Sequence, residues 1–330
     1  MNDSMKNIFS GIQPSGDLTI GNYFGAIKNW IKLQSEYNCF FCIVDLHAIT
    51  VRQEPKRLRE KILETLAIYI ASGIDPNKNT LFIQSHVPFH SELSWILNCF
   101  TYMGETSRMT QYKEKSLKSG ESISVGLFTY PILMAADILL YNTDLVPVGS
   151  DQKQHLELAR DLAERFNNIY SDTFKIPDPY ISSTSSRIMN LQSPDKKMSK
   201  SDENENSYIK ILDDENIIRK KISRSVTDSI GSINYSDDQL GIKNLINIFS
   251  SITGEDTYDI VARFKNKGYG DLKNEVSNLL IDELSTIQKR VKELMDNKDY
   301  LEKIYKDGAE KAIEASYRML RKVKKKIGFI

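Results

Sequence analysis

Apolar residues follow two different periods along residues 6–195. Short continuous apolar runs are typical of buried strands. They alternate with longer segments in which apolar residues recur every three or four positions, which is typical of helices. This alternation predicts a parallel sheet with helices on both faces, a Rossmann-like α/β domain. The predicted strands cover residues 8–12, 39–45, 80–83 and 145–149, and the predicted helices begin near Gly21 or cover residues 58–70, 93–103, 125–141 and 156–166.

The loops that follow Ile12, Val44 and Val148 come at the carboxyl ends of predicted strands. In parallel sheets these ends lie along one edge, and ligands bind there. We therefore expect the chemistry of this domain to be carried by those three loops.

The strand pattern stops after about Tyr208. Beyond it, apolar residues recur at helical spacing over residues 240–252, 258–264, 272–295 and 300–323, which predicts an all-helical second domain. Its basic residues suit contact with an RNA, although solvated helix faces are an equal alternative; examples are Arg219, Lys220, Lys221 and Arg224.

The composition is ordinary for a globular protein, with 40% hydrophobic and 27% charged residues among 330. The net charge is zero, so any surface for nucleic acid must be local. The basic run at residues 321–326 is one candidate, and a solvated helix end is its alternative. The most apolar stretch, residues 125–141, contains Pro131 and Asp137, which favours a buried helix over a membrane span.

The three cysteines indicate a reducing compartment, the cytoplasm. Cys39 and Cys42 form a C-x-x-C pair, but they lie within one predicted strand. Side chains three positions apart on a strand point to opposite faces. We therefore expect both cysteines to pack in the core rather than to bind a metal or form a disulfide.

The segment Lys197-Met198-Ser199-Lys200-Ser201 has the composition of a loop that holds phosphates. Two ammonium groups stand three positions apart, with two hydroxyl groups and several backbone N–H groups around them. A solvated Lys/Ser loop is the alternative. The spacing alone favours binding of a triphosphate.

The first predicted strand is followed by Gln13-Pro14-Ser15-Gly16 and then by Thr19-Ile20-Gly21-Asn22 at a helix start. Gly21 would let a nucleotide approach the backbone closely, and the free N–H groups of a first helical turn favour a phosphate. A plain turn with Thr19 or Asn22 as the helix cap is the alternative.

A Thr-Ile-Gly-Asn helix start followed by Lys-Met-Ser-Lys-Ser resembles the two-part signature of class I aminoacyl-tRNA synthetases, most of which have His-Ile-Gly-His at the first position. Residues 9–16, 130–141 and 146–155 closely resemble the tryptophan-specific bacterial members, and the similarity runs essentially from end to end. The resemblance implies that L-tryptophan is activated with ATP to tryptophanyl-adenylate and is then transferred to tRNA(Trp), with release of AMP and diphosphate. It also implies a cytoplasmic homodimer and Mg²⁺ held by the ATP phosphates.

Tyr130, Met134, Asp137 and Tyr141 share one face of the predicted helix, opposite a core-facing stripe formed by Leu133, Ala136 and Leu140. A carboxylate on such a face needs hydrogen-bond donors, and a structural ion pair or loop cap would satisfy it too. The resemblance implies that Asp137 accepts the indole N–H instead. The other residues that it implies for tryptophan are Phe9, Gly11, His47, Tyr130, Met134, Val146, Val148 and Gln152.

The resemblance also implies a nucleotide site and the groups that promote adenylate formation. The implied ATP contacts are Gln13, Pro14, Ser15, Gly21, Asn22, Gly149, Ser150, Asp151, Ile188 and all five residues of the KMSKS motif, Lys197, Met198, Ser199, Lys200 and Ser201. Lys197, Lys200 and Lys115 would neutralise the leaving diphosphate, with Thr19 and Asn22 at the other end of the nucleotide. The tryptophan carboxylate is itself the nucleophile, so positioning and charge neutralisation suffice.

The implied domain division is a catalytic domain at 1–195, the KMSKS loop at 196–204, a helical domain at 205–296 that binds the tRNA anticodon, and a C-terminal helix at 297–330 that packs back on the catalytic domain. Three alternatives remain at this stage. They are a tyrosine-specific synthetase, a nucleotidylyltransferase that does not use tRNA, and a non-catalytic RNA-binding relative.

Overall fold

The computed structural model describes residues 5–119, 123–149, 152–181, 187–200 and 202–330, with the side chains of residues 114, 115 and 117–119 outside that description. Five parallel strands form one sheet in the order β3-β2-β1-β4-β5. The strands are β1 (Asn7–Ile12), β2 (Asn38–Ile43), β3 (Thr80–Ile83), β4 (Leu145–Pro147) and β5 (Asp178–Tyr180). The predicted Rossmann-like sheet is confirmed.

The strand order reverses between β1 and β4, where Ile8 pairs with Leu145. The chain winds from β1 through β2 to β3 on one side, and then returns to β4 and β5 on the other. Such a reversal opens a crevice at the carboxyl ends of the two central strands. The loop after Ile12 and the loop after Pro147 therefore face the same crevice.

Helices cover both faces of the sheet. The first of them, α1, consists of three consecutive pieces, Ile20–Asn22, a π-helical turn at Tyr23–Ile27, and Lys28–Leu33. The remaining helices of this part of the chain are α2 (Asp45–Ala48), α3 (Pro55–Ala71), α4 (Phe89–Asn98), α5 (Met103–Ser107), α6 (Thr110–Ser119), α7 (Val125–Leu139) and α8 (Lys153–Tyr170). None of the helices in the described part of the chain combines the length and apolarity that crossing a membrane needs.

The predicted helix at 93–103 is wrong at both ends. Helix α4 begins at Phe89, directly after Pro88, and ends at Asn98. The Thr101 hydroxyl donates to the carbonyl of Leu97, which satisfies an acceptor of the last turn. The Tyr102 N–H then donates to the Glu105 carboxylate, so a new helix, α5, starts there.

Smaller differences concern the strands and one helix stripe. Strand β4 ends at Pro147 instead of residue 149, and β2 ends at Ile43 because Asp45 already starts α2. The sequence did not predict β5, since only three residues form it and two of them are exposed. On α7, Ala136 and Leu140 are fully buried as expected, whereas Leu133 is only half-buried.

The two cysteines of β2 lie on opposite faces of the sheet, as predicted. Cys39 belongs to the hydrophobic cluster on one face, together with Phe41 and Ile43. Cys42 belongs to the cluster on the other face with Phe40. Both are buried free thiols.

Beyond β5 the α-helices of the described residues are α9 (Glu215–Ser223), α10 (Leu240–Thr253), α11 (Thr257–Arg263), α12 (Tyr269–Asp296) and α13 (Lys298–Ile327). Helix α9 was not predicted as an element; the Asp214 side chain caps it by accepting the N–H of Ile217. Its Lys221 is buried and paired with Asp213 at 2.6 Å, so this lysine does not present its charge to an RNA.

Helix α12 joins the two parts of the chain. Leu280, Leu284 and Ile287 of α12 share a buried cluster with Leu66 and Ile70 of α3. At its edge, the Glu283 carboxylate accepts hydrogen bonds from the Tyr23 hydroxyl at 2.8 Å and from Lys28 at 3.2 Å. The helical part therefore packs directly on helices α1 and α3 of the Rossmann-like part.

Helix α13 crosses the edge strand β3. A Cβ atom at Gly308 would stand 1.8 Å from the Leu81 carbonyl oxygen, so only a glycine permits this approach. Ala312 and Ser316 are fully buried farther along the same face. The C-terminal helix thereby covers an edge of the sheet that would otherwise present unpaired backbone groups.

Candidate active site

A cavity of about 160 Å³ lies at the carboxyl ends of β1 and β4, closed on one side by α7. Most of the residues implied for tryptophan line it, namely Phe9, Gly11, His47, Tyr130, Met134, Asp137, Val146 and Gln152. Val148 instead packs against the hydrophobic core beside the cavity. One cavity at the predicted strand ends is therefore lined by eight of the nine residues that the resemblance implies for tryptophan.

Asp137 lies at the inner wall of this cavity and is 1% exposed. Its Oδ1 is 2.6 Å from Gln84 Nε2 and 2.6 Å from His90 Nδ1, and its Oδ2 is 2.8 Å from His47 Nε2. An ionised carboxylate only accepts hydrogen bonds, so all three nitrogen atoms donate. The buried charge is thus held by donors from three separate elements.

Burial alone would raise the pKa of Asp137, but the hydrogen bonds from His47 and His90 outweigh it and lower the pKa to about 2. The folded pKa lies below the ordinary value of 3.8, so this carboxylate stabilises the fold above that pH. The contribution is lost as the pH falls toward 2. At neutral pH Asp137 is an ionised hydrogen-bond acceptor.

Tyr130 forms a second polar group on the same cavity wall. Its hydroxyl is 2.8 Å from His155 Nε2 and 3.4 Å from Gln111 Oε1. His155 is buried at the start of α8, and Gln152 precedes it at the helix N-terminus. The α7 wall of the cavity therefore carries a carboxylate and a hydroxyl that can both donate and accept.

The Thr-Ile-Gly-Asn segment begins α1 as predicted, and its polar side chains bond to each other. Asn22 Oδ1 accepts the Thr19 N–H at 3.0 Å and the Thr19 hydroxyl at 3.1 Å. Thr19 is 2% exposed and pairs with Lys210 through its backbone. The Asn22 side chain thus caps the first turn by accepting from Thr19, which was the structural alternative.

Gln13 belongs to both predicted sites. Its Nε2 donates to the His47 carbonyl oxygen at 2.7 Å, and the residue lines the cavity that contains Asp137. Its own carbonyl oxygen accepts a hydrogen bond from Lys200 at 3.3 Å. The nucleotide loop and the cavity are therefore in direct contact.

The KMSKS loop lies over the first βα turn. Met198 is buried, and a Cβ at Gly21 would stand 3.6 Å from its Cβ. The Met198 N–H donates to the carbonyl of Ile188, and Lys197 pairs with Met189 through the backbone. Position 21 thus lies within van der Waals range of the second signature.

Burial lowers the pKa of Lys200 to about 8, although Asp17 nearby acts in the opposite direction. Asp17 itself pairs with Lys61 at 2.5 Å and Lys210 at 2.8 Å. These two cations more than offset burial and lower the pKa of Asp17 to about 2. Lys197 and Ser199, by contrast, are exposed.

Four of the other residues implied for ATP lie in described parts of the chain. Pro14 is buried and Ser15 half-buried in the first loop, Gly149 is exposed after β4, and buried Ile188 adjoins the KMSKS loop. Four further residues cannot be placed, because Ser150, Asp151 and Ser201 lie outside the described ranges and so does the side chain of Lys115, whose backbone is in α6.

Five polar residues in or behind the cavity wall were not predicted from the sequence. Ser10, Gln111 and His155 line the cavity, whereas Gln84 and His90 lie behind it and bond to Asp137. Gln84 and His90 follow β3, a strand whose carboxyl end adjoins the crevice, and that position was the available signal. In the part of the chain that the structure describes, no three His, Cys, Asp or Glu side chains are grouped to hold a metal ion.

The comparison with known families matches residues 1–285 to a model described as tRNA synthetases class I (W and Y). A tryptophan–tRNA ligase from Clostridium tetani is 63% identical over 330 residues, covering 100% of this chain and 98% of the relative. One from Clostridium acetobutylicum is 58% identical over 331 residues, covering 100% and 99%.

Solved structures agree in fold with this chain. The crystal structure of tryptophanyl-tRNA synthetase from Mycoplasma pneumoniae has a TM-score of 0.93 at 34% identity and covers 98% of both chains. The Campylobacter jejuni enzyme, complexed with ADP and tryptophan, has a TM-score of 0.83 at 36% identity and covers 98% of this chain and 99% of its own.

Proposed function

The chain belongs to the class I tRNA synthetases of the tryptophan and tyrosine group, and on that premise we propose how its residues carry out the reaction. The reaction is that of a tryptophan–tRNA ligase: ATP and L-tryptophan give tryptophanyl-adenylate and diphosphate, and tRNA(Trp) then accepts the tryptophanyl group with release of AMP. The full-length relatives at 58% to 63% identity favour this activity over the tyrosine-specific and tRNA-independent alternatives.

We assign tryptophan recognition to the Asp137 carboxylate, and the observation that carries this assignment is its complete burial beside three donors. Oδ1 accepts from Gln84 and His90, whereas Oδ2 accepts from His47 alone among these three. Each carboxylate oxygen has two lone pairs, so Oδ2 can also accept an indole N–H. Phe9, Met134 and Val146 line the cavity and would pack on the ring.

This arrangement selects against phenylalanine without an editing step. A substrate that lacks the N–H would leave one lone pair of the desolvated Oδ2 unpaired, with His47 as the donor on that oxygen, and such a loss costs about 10⁴-fold in related cases. We place the substrate amino group near Gln152 and the Tyr130 hydroxyl, which line the outer part of the same cavity.

We propose that ATP lies across the turn before α1. Ile188 would contact the adenine, and Gly149 and Asp151 would contact the ribose. The KMSKS loop would bind the phosphates. The N-terminus of α1 supplies backbone N–H groups and a positive dipole end. Residues Pro14, Ser15 and Ser150 complete the surroundings. The contact of Lys200 with Gln13 supports this placement, because it brings a cation to the turn.

Lys197, Lys200 and Lys115 would stabilise the charge that develops on the leaving diphosphate, while Thr19 and Asn22 fix the helix start. Since the described residues hold no group of metal-ligand side chains, we assign Mg²⁺ to the phosphates of ATP, where it would add positive charge. The tryptophan carboxylate attacks the α-phosphate, and diphosphate leaves in line.

For the domains, we propose catalysis by residues 1–195, loop closure by 196–204, anticodon binding by 205–296 and support of the sheet edge by 297–330. Exposed basic residues of α9 such as Arg219 and Lys220 remain candidates for RNA contact. We also propose a cytoplasmic homodimer. Four large apolar side chains support this proposal because they are 66% to 77% exposed, namely Trp95, Tyr102, Met103 and Val125.

Amino-acid-dependent exchange of radiolabelled diphosphate into ATP tests the proposal. Run once with each standard amino acid, the assay should respond to tryptophan alone, and charging should follow only with tRNA(Trp). Exchange that tyrosine or phenylalanine supports equally well would refute the assignment of Asp137. Exchange without charging of any tRNA would refute the anticodon-binding role of the helical part.

A further inference from the structure

His90 is enclosed behind the cavity and uses both of its ring nitrogens. It lies in the first turn of α4 and is 0% exposed. Its Nδ1 is 2.6 Å from Asp137 Oδ1, and its Nε2 is 2.7 Å from the Tyr141 hydroxyl. It does not line the described cavity, so it would act on a substrate only through Asp137.

The two partners of His90 define the hydrogen bonds that its ring nitrogens make. Nδ1 must carry a hydrogen, because Asp137 can only accept. Burial raises the pKa of Tyr141 well above its ordinary value, with Cys42 and Asp137 contributing, so the hydroxyl keeps its proton. The hydroxyl and Nε2 share the second hydrogen bond, so both ring nitrogens of His90 are held by buried partners.

Asp137 can discriminate only if its orientation is fixed. A carboxylate that rotates presents different lone pairs to the cavity. Two donors on Oδ1, from His90 and Gln84, hold that oxygen on the inner side, so that Oδ2 faces His47 and the substrate. Of these donors, His90 is itself held by a further buried partner, Tyr141.

We propose that His90 is a positioning residue for tryptophan recognition: it orients the Asp137 carboxylate toward the indole N–H, and Tyr141 fixes the His90 nitrogen that donates. The inference rests on the proposed contact between Asp137 and the indole nitrogen.

Two amide substitutions separate the two functions of the ring. In His90→Asn, the amide nitrogen takes approximately the place of Nδ1 and can still donate to Asp137. In His90→Gln, it takes approximately the place of Nε2 and reaches Tyr141 instead. Each variant is assayed by diphosphate exchange with tryptophan and with 3-(1-benzothiophen-3-yl)alanine, in which sulfur replaces the indole N–H.

We expect His90→Gln to lower kcat/KM for tryptophan by about 10-fold or more, because a hydrogen bond to a charged group is affected. The loss should appear in KM for tryptophan, while kcat/KM for the benzothiophene analogue changes by less than about 3-fold. His90→Asn keeps the donor to Asp137 but loses the bond to Tyr141, so it should show a smaller loss for tryptophan, about 3-fold, and none for the analogue. An equal loss for both substrates in His90→Gln, or no loss for tryptophan, overturns the proposal.

The wild-type enzyme separates this proposal from the one on which it rests. If the wild type uses tryptophan and the analogue equally, the indole contact is wrong and both proposals are overturned. If it prefers tryptophan and His90→Gln keeps the same preference, only the role of His90 is overturned. His86→Gln is the matched control, since His86 is exposed and contacts Tyr305, and it should behave as the wild type.

Tyr141→Phe provides a second route if His90→Gln does not fold. It removes one hydroxyl and keeps the ring that stacks on Phe9. A loss confined to tryptophan supports the proposal, and an equal loss for both substrates, or none, overturns it.

Discussion

The Lys200 ammonium donates a hydrogen bond to the Gln13 carbonyl oxygen at 3.3 Å, although 187 positions separate the two residues. Gln13 in turn donates to the carbonyl of His47, next to the cavity that contains Asp137. A lysine of the proposed phosphate loop is therefore connected, through one glutamine, to the wall of the amino-acid site.

The first prediction concerns pH and Lys200. Since burial lowers its pKa to about 8, the cationic fraction of Lys200 falls as the pH rises through that value. We expect kcat/KM for ATP in diphosphate exchange to fall above about pH 8, because this quantity reports ionisation in the free enzyme. The free energy of unfolding should rise over the same range, since the unfolded state then binds more protons.

Lys200→Arg tests that assignment, since a guanidinium stays charged throughout. The alkaline fall in kcat/KM should disappear or move to a higher pH, even if the maximum rate is lower. Lys196→Ala is the control, because Lys196 is an exposed neighbour, and its fall should remain at the wild-type midpoint. An unchanged midpoint in Lys200→Arg would show that another group titrates.

The second prediction concerns the charge at Asp137. Asp137→Asn keeps the shape of the side chain but replaces an acceptor oxygen by an amide that donates. We expect kcat/KM for tryptophan to fall by about 100-fold, with KM for ATP little changed. Diphosphate exchange at varied tryptophan measures it. Asp178→Asn, at an exposed carboxylate paired with Arg160, should stay within about 2-fold of the wild type.

The third prediction concerns the contact of Gly308 with Leu81. In Gly308→Ala the new methyl group would overlap the Leu81 carbonyl oxygen, so helix α13 or strand β3 must shift. We expect a loss of about 3 kcal/mol in stability, measured as a lower midpoint of thermal or denaturant unfolding.

Gly270→Ala is the matched control for that experiment. Gly270 lies in helix α12, and an added Cβ there would meet nothing within 4 Å. Alanine is favoured over glycine inside a helix by about 0.5–1 kcal/mol, so the unfolding midpoint should stay the same or rise. Equal midpoints for the two variants would mean that the helix tolerates displacement from the sheet.

The fourth prediction concerns assembly. Met103 is 73% exposed at the start of α5, where an aspartate is compatible with a helix N-terminus. Met103→Asp should therefore leave the fold intact and convert the proposed dimer into monomers, as sedimentation velocity would detect. Tyr258→Asp introduces the same charge at a residue of α11 that is 77% exposed, and it should leave the mass unchanged.

Much of the fold follows from the sequence because the strands are continuous apolar runs. Residues 80–83 and 39–43 are buried along their whole length, so their pattern is unambiguous. Strand β5 carries no such pattern, since Asp178 and Pro179 are exposed and pair by backbone alone. The end of α4 was also missed. Just beyond it the Thr101 hydroxyl donates to the Leu97 carbonyl oxygen, and the apolar pattern does not encode such a side-chain bond.

The candidate site was predictable only in part. Helical spacing placed Tyr130, Met134 and Asp137 on one face, and all three line the cavity. Spacing within one helix carries no information about Gln84 or His90, which reach Asp137 from elements 53 and 47 positions away. Likewise, the pairing of Thr19 with Asn22 is a local cap, which the same residues would also form without a nucleotide.

The close contact between Gly308 and Leu81 also has a consequence during synthesis of the polypeptide. Ribosomes add about 5–20 residues per second, so the edge strand emerges on the order of ten seconds or more before the helix that shields it. During that interval a bare strand can pair with a neighbouring nascent chain. The edge strand β3 is therefore open to such pairing during translation until helix α13 has been synthesised.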